Sequence, residues 1–380
     1  MERDERLKVI QIVGNARIGG VAAFLLNYFR HTDISKYRFD FVTYGKCGFD
    51  EKVHEIDPTS KIFYIPSFSR HPLRAMRALK KIYRSEDYAA VHSHMTTLSA
   101  FALPPAAGAR IPVRICHSHS AFDKNSDHYL FKKLLRPFAA KKATALAACS
   151  RHAAENLFGK RADEAVILPN AIPAEKFYCS QAEHELRKAE FGFTGRTALF
   201  VGRFVYQKNL FFLLEAFALA RKKREMTLVL VGGGADEEGL RKRAKELGAE
   251  ESVRFVPPCD PAPYYKAADV FALPSRYEGL GMVAVEAQAA GLPCLLSDVV
   301  PAEAGTSGAC RFLPAQTHSD AEAWAEALAK DSPRTQNARE AIENAGYDIA
   351  KGPHGQTDFS VRFWGRGQKL FWNKRGAAGT

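Results

Sequence analysis

The stretch ADVFALPSRYEGLGMVAVEAQAAGLPCLLSD, residues 268–298, decides the fold because it encodes a strand, a turn, a helix and a second strand in succession. Residues 268–275 and 292–298 are short apolar runs with the length of buried strands. Between them, a glycine-rich turn leads into a helical pattern over residues 282–290. Gly291 is the residue type that often follows the end of a helix. The stretch therefore predicts a βαβ unit, in which the two strands are parallel.

The same alternation of strands and helices runs through both halves of the chain. Helical segments of about 10–15 residues between short strands indicate βαβ units and parallel sheets. With a hinge near residues 173–181, the pattern predicts an α/β fold in which two Rossmann-like domains, 1–175 and 176–350, face a central cleft. Ligands of such sheets bind beyond the carboxyl ends of the strands. The other predicted strands are residues 7–14, 39–44, 61–66, 89–94, 113–119, 144–150, 165–170, 197–203, 226–234 and 253–257.

Composition and length are those of a soluble globular protein. The chain has 380 residues, of which 46% are hydrophobic and 25% charged. No run approaches the roughly 18–20 apolar residues that span a bilayer, and the N-terminus has acidic residues where a signal peptide has basic ones. Seven scattered cysteines, none in a C-x-x-C pattern, indicate reduced thiols rather than disulfides or a zinc site. We therefore expect a cytoplasmic protein.

The net charge of +12 is unevenly distributed along the chain. Residues 1–175 carry a balance of +10, residues 176–350 of −3 and residues 351–380 of +5. The excess in the first half predicts an anionic partner there. Residues 351–380 mix glycine, aromatic residues and positive charge without a strand or helix period, so we expect a poorly ordered basic tail or an appendage with its own role.

Two glutamates, Glu278 and Glu286, are separated by seven residues around the glycine-rich turn. Glu278 lies in the turn and Glu286 about one turn inside the helix, so their carboxylates can reach different ends of one elongated ligand. The turn also leaves backbone N–H groups at a helix N-terminus, where an anion is stabilised. Taken alone, such a pair is more often explained by solvated or capping side chains.

With its context, this segment resembles the E-x7-E signature of retaining GT-B glycosyltransferases of family 4, especially those of capsular and exopolysaccharide assembly. The resemblance extends over most of residues 8–350 and implies transfer of a sugar from a nucleotide-sugar donor, by family habit a UDP-hexose. It is also carried by IGGVAAFLLNYFR, SKYRFDFVTYG, CHSHS, ACS, LPNAI, VGRFVYQKN and LVGGG.

The resemblance assigns the donor-binding residues. It implies that Glu286 binds the ribose hydroxyls of the donor and that Glu278 binds hydroxyls of the transferred sugar. The donor sugar and diphosphate would lie near the backbone of Gly279, Leu280, Gly281 and Met282.

Arg203 and Lys208 follow a predicted strand in VGRFVYQKN, where a departing nucleoside diphosphate needs cations. The chain has no D-x-D triplet, which is the usual acidic ligand for a metal-bound diphosphate. An Arg/Lys pair can neutralise the same charge without Mg²⁺, although two ordinary surface cations are the alternative. The resemblance assigns both residues to the diphosphate, and we expect neither a metal nor another cofactor.

Three glycines, Gly14, Gly19 and Gly20, surround the end of the first strand. The first two have the glycine spacing of a P-loop, but Gly20 stands where Walker A requires Lys, and G-x-G-x-x-G is also absent. In the similar family this loop approaches the acceptor and the donor phosphate, which places Gly20 in the site. Relatives carry Glu shortly afterwards, whereas this chain has apolar residues at 21–23, so the acceptor side departs from the family pattern.

Four histidines, His92, His94, His117 and His119, follow two predicted strands. A zinc site would be supported by Cys ligands or H-E-x-x-H spacing, and neither is present. The resemblance aligns His117 with a family histidine that touches the donor sugar or positions the acceptor. We expect a catalytic role for His117 and structural roles for the other three.

Two basic amphipathic segments, 70–84 and 130–142, fit an anionic membrane surface that carries a glycan or polyprenyl-diphosphate-linked acceptor. The alternative for each is a solvated helix with its apolar face on the sheet.

Two other classes of function stay open. A non-hydrolysing UDP-sugar 2-epimerase also binds a nucleotide sugar between Rossmann-like domains, although the E-x7-E segment and the QKN sequence argue against it. Positive charge is the only feature that suggests a basic nucleic-acid-binding protein, because no helix-turn-helix, RNP-like motif or zinc finger occurs. We therefore expect no nucleic-acid partner.

Overall fold

The computed structural model describes residues 4–16, 20–119 and 128–351 of the chain. It divides into two compact units, of which the first contains residues up to Ala171 and from Ile349 onward, and the second contains Ile172–Asp348. The boundary predicted from the sequence lies between residues 175 and 176. The predicted basic tail lies outside the described residues except for Lys351.

The first unit is built on a parallel sheet whose described strands follow the order β3-β2-β1-β4-β5-β6-β7. The strand order reverses between β1 and β4, whose carboxyl ends therefore border a crevice of the kind in which α/β proteins bind ligands. The strands are β1 (Leu7–Gly14), β2 (Tyr37–Thr43), β3 (Ile62–Tyr64), β4 (Tyr88–Ser93), β5 (Val113–Ser118), β6 (Ala145–Ala148) and β7 (Ala165–Ile167). The helices are α1 (Gly20–Arg30), α2 (Phe49–Ile56), α3 (Pro72–Tyr83), α4 (Ser99–Gly108), α5 (Tyr129–Ala139) and α6 (Arg151–Phe158).

The second unit is described at every residue and contains a six-stranded parallel sheet in the order β10-β9-β8-β11-β12-β13. Here the order reverses between β8 and β11. The strands are β8 (Arg196–Arg203), β9 (Met226–Gly233), β10 (Val253–Val256), β11 (Val270–Leu273), β12 (Cys294–Ser297) and β13 (Cys310–Leu313). The helices are α7 (Gln181–Glu190), α8 (Leu210–Ala220), α9 (Glu237–Glu246), α10 (Ala262–Ala267), α11 (Met282–Ala289), α12 (His318–Ala329) and α13 (Ala338–Asn344).

The predicted α/β class with two Rossmann-like parallel sheets is confirmed, and each predicted strand is present with similar or shorter bounds. The sequence analysis did not predict β13 or the helices α2, α6, α7, α10 and α12. For α12 a local signal exists: the Thr317 hydroxyl accepts from the Asp320 N–H and the Asp320 carboxylate accepts from the Thr317 N–H, which is a capping box.

Each unit encloses its own hydrophobic core. In the second unit α8 is apolar except for Glu215 and packs against α12, where Trp324 meets Phe212 edge to face with ring centroids 5.7 Å apart. Helix α8 has only 11 residues. No helix within the described ranges combines the length and apolarity needed to cross a bilayer.

Candidate functional site

The loop after β8 carries the two predicted cations. Arg203 is the last residue of β8 and is exposed, and among the described residues it has no charged partner. Lys208 lies in the short helical turn that follows. The turn ends at Asn209, which adopts a left-handed conformation (φ 56°) and donates from Nδ2 to the Ala315 carbonyl oxygen at 2.9 Å. Asn tolerates this conformation better than most residues, so the QKN sequence fixes the position of Lys208 in front of α8.

The glycines of VGR and LVGGG have a packing role. The ends of β8 and β9 approach so closely that a Cβ at Gly232 would lie 1.9 Å from the carbonyl oxygen of Gly202. At Gly234 a Cβ would lie 2.2 Å from the carbonyl oxygen of Phe204. Because backbone atoms cannot yield at such distances, only glycine fits at these two positions. The close approach sets the path of the loop that carries Arg203 and Lys208.

The loop after β11 brings Glu278 to Lys208. Lys208 Nζ pairs with Glu278 Oε1, which also accepts a hydrogen bond from Ser275 Oγ at 2.7 Å. The two charged side chains are only 13% and 7% exposed, so their attraction is screened less than that of a surface pair. The sequence gives no sign that these two residues pair, whereas in the structure they form one ammonium–carboxylate pair at the strand-order reversal of the second sheet.

Further contacts tie these two loops together. Gln207 Nε2 donates to the Tyr277 carbonyl oxygen at 2.9 Å, and the Arg276 N–H donates to the Gln207 carbonyl oxygen at 2.8 Å. The Arg276 guanidinium lies 4.4 Å from the centroid of the Tyr206 ring, within cation–π range. The positions of Lys208 and Glu278 are therefore fixed relative to each other by backbone as well as side chains.

The turn predicted to lie near the diphosphate, Gly279–Met282, ends where α11 begins. Gly281 has a φ of 84°, which favours glycine, and a Cβ there would come within 3.3 Å of Leu273 Cδ2. Leu280 buries its side chain (2% exposed), so only its backbone can face a ligand. The first backbone N–H groups of α11 have no partner inside the helix, as an anion site requires.

Glu286 lies half-buried on α11, one turn after Met282. Its Oε2 accepts a hydrogen bond from the Tyr265 hydroxyl at 2.9 Å. Burial raises the pKa of Glu286 to about 7, although the Tyr265 hydrogen bond and the charge of Lys176 act in the opposite direction. The carboxyl group is therefore only partly ionised at neutral pH.

The other two predicted site residues belong to the first unit. Gly20 is the first residue of α1, and a Cβ there would meet no described heavy atom within 4 Å. Its neighbour Gly19 lies outside the described residues. His117 lies in β5 and is fully buried. The structure thus gathers the predicted residues of the second unit around one strand-order reversal and places His117 and Gly20 in the first unit.

His117 is part of a cluster of all four histidines at the ends of β4 and β5. His92 Nε2 lies 3.1 Å from His117 Nδ1, and His94 Nδ1 lies 2.8 Å from His119 Nε2. The Phe24 ring of α1 covers the cluster, 5.2 Å from His117 and 5.0 Å from His119 between centroids. Burial lowers the pKa of all four imidazoles, that of His119 to about 3, so the cluster is neutral at physiological pH.

Hydrogen bonds restrict the tautomers of these rings. Gln11 Oε1 accepts from His94 Nε2 at 2.8 Å, which leaves His94 Nδ1 to accept from His119 Nε2. His117 Nε2 is buried and has no hydrogen-bond partner among the described residues. When His92 Nε2 donates to His117 Nδ1, Nε2 of His117 carries a proton for which the described residues supply no acceptor.

The same cluster is the place in the described chain where a metal ion would find ligands. One nitrogen each from His92, His94 and His117 lies within 4.8 Å of the others. Neutral imidazoles are suitable ligands for Zn²⁺. These rings already hydrogen-bond one another, and no carboxylate belongs to the group to compensate a buried dication. The arrangement therefore favours a hydrogen-bonded histidine cluster over a metal centre.

Sequence reasoning missed Tyr265, Ser275, Gln11 and Phe24, which hold the predicted residues in place. Each belongs to a strand, helix or loop remote in sequence from the group it contacts, apart from Ser275. A Ser three residues before Glu278 was a usable local signal, because a hydroxyl at that spacing can reach a turn carboxylate. Tyr265 had no such signal, since it lies 21 residues before Glu286 in the chain.

Two family models match the chain and together cover most of both units. Residues 182–348 match the family model described as "Glycosyl transferases group 1", and residues 18–176 match "Glycosyltransferase Family 4". The protein of Bacillus subtilis (strain 168) named as the glycosyltransferase EpsF is 32% identical over 369 residues, covering 90% of this chain and 93% of EpsF.

Two further similarities are informative. The UDP-Gal:alpha-D-GlcNAc-diphosphoundecaprenol alpha-1,3-galactosyltransferase of Escherichia coli is 26% identical, covering 64% of this chain and 68% of that enzyme. The crystal structure of HepE from Anabaena in complex with UDP-glucose superposes with a TM-score of 0.75 at 16% identity, covering 97% of this chain and 100% of HepE. This likeness assigns the GT-B fold. From its sequence matches along both units and its GT-B architecture, the chain belongs to glycosyltransferase family 4.

Proposed function

We propose that this protein is a retaining hexosyltransferase that moves a sugar from a UDP-sugar to a glycan or polyprenyl-diphosphate-linked acceptor during the synthesis of a cell-surface polysaccharide. The observation that carries the proposal is the pairing of Lys208 with Glu278 beside the N-terminus of α11, with Glu286 one turn further along. Along the chain, a carboxylate for the sugar (Glu278), helix N–H groups for the diphosphate and a carboxylate for the ribose (Glu286) follow one another in the order of these parts in a nucleotide sugar, and Lys208 adds a cation for the diphosphate. HepE binds UDP-glucose on the same fold, which supports a uridine nucleotide.

In the proposed reaction the bond between the anomeric carbon and the diphosphate oxygen breaks as the acceptor oxygen bonds to the same face of that carbon. Arg203, Lys208 and the N–H groups of residues 279–282 stabilise the charge that develops on the departing diphosphate. The acceptor proton passes to the departing phosphate oxygen, so no enzyme nucleophile is required. Glu278 and Glu286 orient the sugar and the ribose, and His117 donates a hydrogen bond from Nε2. No metal takes part in this scheme.

The acceptor side of the proposal includes an anionic membrane surface at the inner face of the plasma membrane. Of the two basic amphipathic segments, α3 buries Ala75, Leu79 and Tyr83 in the core of the first unit. Helix α5 buries only Ala139 and exposes Leu130, Phe131, Leu134 and Phe138 at 78%, 40%, 68% and 51%. These apolar side chains lie among the cations Lys132, Lys133, Lys141 and Lys142, which is the composition of a membrane-surface helix.

The acceptor class is supported by two relatives. The E. coli enzyme is named for a diphosphoundecaprenol-linked acceptor, and the name EpsF suggests exopolysaccharide synthesis. Both names describe those proteins, and their similarity to this chain motivates the same class of acceptor here.

The proposal is tested by a thermal-shift panel of UDP-, GDP- and ADP-sugars, followed by a product assay with the best stabiliser. We expect a UDP-hexose to raise the melting temperature and to be hydrolysed slowly, with faster turnover when a lipid-linked glycan is added and with no loss of activity in EDTA. Conversion of the donor to an epimer without any acceptor would instead identify a 2-epimerase. If no nucleotide sugar stabilises the protein, the proposal is wrong.

A further inference from the structure

Helix α10 reaches the carboxylate of Glu286 through a single side chain. Tyr265 is fully buried, and its hydroxyl donates to Glu286 Oε2 at 2.9 Å. Its ring is held edge to face against Phe177, with centroids 5.7 Å apart, and lies 5.8 Å from Phe271. Because the ring cannot rotate away without opening the core, the hydroxyl is a fixed donor.

The backbone of α10 is fixed as well. Arg334 Nη2 donates to the carbonyl oxygens of Tyr265 at 2.9 Å and Lys266 at 2.7 Å. The other terminal nitrogen of the same guanidinium donates to the carbonyl oxygen of Ala290, at the end of α11. One guanidinium therefore donates hydrogen bonds to carbonyl oxygens at the C-terminal ends of both helices, α10 with Tyr265 and α11 with Glu286. Two sets of contacts therefore connect the two helices: the hydrogen bond from Tyr265 to the Glu286 carboxylate, and the hydrogen bonds from Arg334 to the helix ends.

Few other charges face Glu286. Lys176 and Asp260 are the charged groups that act on it, and they pair with each other at 2.8 Å. Their fields on the carboxylate have opposite signs, and burial disfavours its ionised form. The hydrogen bond from Tyr265 is thus the strongest interaction that favours an ionised Glu286.

We propose that Tyr265 is a positioning residue that holds the Glu286 carboxylate as an oriented double acceptor and thereby makes the site selective for ribose over 2′-deoxyribose nucleotide sugars. This inference rests on the proposed function, in which Glu286 accepts hydrogen bonds from the ribose. A carboxylate offers about four lone-pair positions. Tyr265 takes one on Oε2 and leaves acceptors for both ribose hydroxyls, whereas a 2′-deoxyribose has one hydroxyl fewer and leaves one more acceptor position without a partner.

The test compares wild-type protein with Tyr265→Phe by isothermal titration against UDP-glucose and 2′-deoxy-UDP-glucose between pH 5.5 and 9. UDP-glucose is used because its diphosphate has no terminal phosphate that titrates in this range. We expect Tyr265→Phe to weaken UDP-glucose binding about fivefold to twentyfold and to weaken binding of the deoxy analogue less. The ribose preference therefore falls, and the pH midpoint for UDP-glucose binding rises.

The matched control is Tyr264→Phe on the same helix. Tyr264 is half-buried and stacks on Phe191 with centroids 4.6 Å apart, so its variant removes a phenol hydroxyl that does not contact Glu286. This variant keeps the wild-type ribose preference and pH midpoint. Fluorotyrosine at position 265 has nearly the same size and a more acidic hydroxyl, and it moves the pH midpoint downward, which keeps the proposal testable if Tyr265→Phe does not fold.

The outcomes distinguish a failure of the role of Tyr265 from a failure of the proposed function. The role of Tyr265 is overturned if a folded Tyr265→Phe variant binds UDP-glucose as tightly as the wild type, with the same ribose preference and the same pH midpoint. That result leaves the proposed function in place. If Tyr265→Phe does not fold, an unchanged midpoint with fluorotyrosine overturns it. If the wild-type protein binds no nucleotide sugar, the proposed function falls and this inference with it.

Discussion

At the scale of single residues, the site is organised by pairs rather than by isolated functional groups. Lys208 is paired with Glu278, Glu286 with Tyr265, and His117 with His92. Each pairing sets the charge or the proton position of the group that would meet the ligand. A substitution in one member therefore changes the chemistry of the other.

Replacing Lys208 with Ala should lower kcat for sugar transfer about 100-fold to 1,000-fold, because a cation positioned for the departing diphosphate is lost. Arg203→Ala should have a smaller effect, since Arg203 is exposed and better screened. Steady-state kinetics with UDP-glucose as donor measures both, with Lys222→Ala as an exposed control cation. Full activity of a folded Lys208→Ala variant would contradict the assignment.

Glu286 should make the fold less stable at alkaline pH. Burial raises its folded pKa from the usual 4.5 to about 7, so its favourable contribution is complete below 4.5 and is lost as the pH rises through 7. We therefore expect Glu286→Gln to differ little from the wild type at pH 5 and to have a free energy of unfolding about 1–3 kcal/mol higher at pH 8.5.

Urea denaturation at both pH values measures this difference, and Glu238→Gln, at an exposed position of α9, is the control. The same Glu286→Gln variant should bind UDP-glucose more weakly. A stability difference that is equal at pH 5 and pH 8.5 would show that ionisation is not its cause.

At the scale of elements, two segments with similar sequence patterns have different surroundings. Helices α3 and α5 are both basic and amphipathic, but α3 packs its apolar face on the core and α5 leaves its apolar face exposed. The helical period reveals that an apolar face exists. Which surface covers that face depends on neighbours that are distant in sequence.

The double variant Leu130→Ser, Leu134→Ser should reduce co-sedimentation with phosphatidylglycerol-containing vesicles at least about tenfold, because two exposed leucines would no longer enter the lipid interface. Leu73→Ser in α3 is the matched control, since Leu73 is also exposed (65%) but belongs to a helix that packs on the core. If vesicle binding depends neither on anionic lipid nor on salt, the membrane surface is not part of the function.

At the scale of the whole molecule, the two ends of the first sheet carry different groups. The carboxyl ends of β4 and β5 carry the neutral histidine cluster, whereas the amino ends of β1, β2 and β4 carry a network of charges. In that network Lys8 and Lys61 pair with Glu86, Arg38 pairs with Asp40 at 2.8 Å, and Tyr88 donates to Asp40 at 2.7 Å.

This network should make the first unit sensitive to acid. Burial by itself would raise the pKa of Glu86, but hydrogen bonds from Lys61 and Lys8 and the charge of Arg38 lower it to about 2. Its stabilisation is present above the usual value of 4.5 and is lost as the pH falls toward 2. Glu86→Gln should lower the free energy of unfolding by about 1–3 kcal/mol at pH 7 and by little at pH 2.5.

Circular dichroism during denaturation at the two pH values measures this effect, with the exposed Glu51→Gln as control. An equal loss of stability at both pH values would indicate lost packing instead of lost charge pairing.

The sequence by itself determined the α/β class, most of the strands and the family. Those features depend on local apolar runs, helix periods and short motifs whose residues are close together in the chain. Glycine motifs such as LVGGG were recognisable for the same reason, although their packing role became clear only from the carbonyl oxygens that a side chain would meet.

Only the tertiary structure decided which groups contact one another. The Lys208–Glu278 pair, the bond from Tyr265 to Glu286 and the exposure of α5 all join or separate residues from different elements. A charge pair or a buried hydroxyl depends on distances of a few ångströms between such elements, and no periodicity along the chain encodes those distances. The E-x7-E spacing thus predicted a donor site, whereas the contacts of Glu278 with Lys208 and of Glu286 with Tyr265 join residues that are remote in sequence.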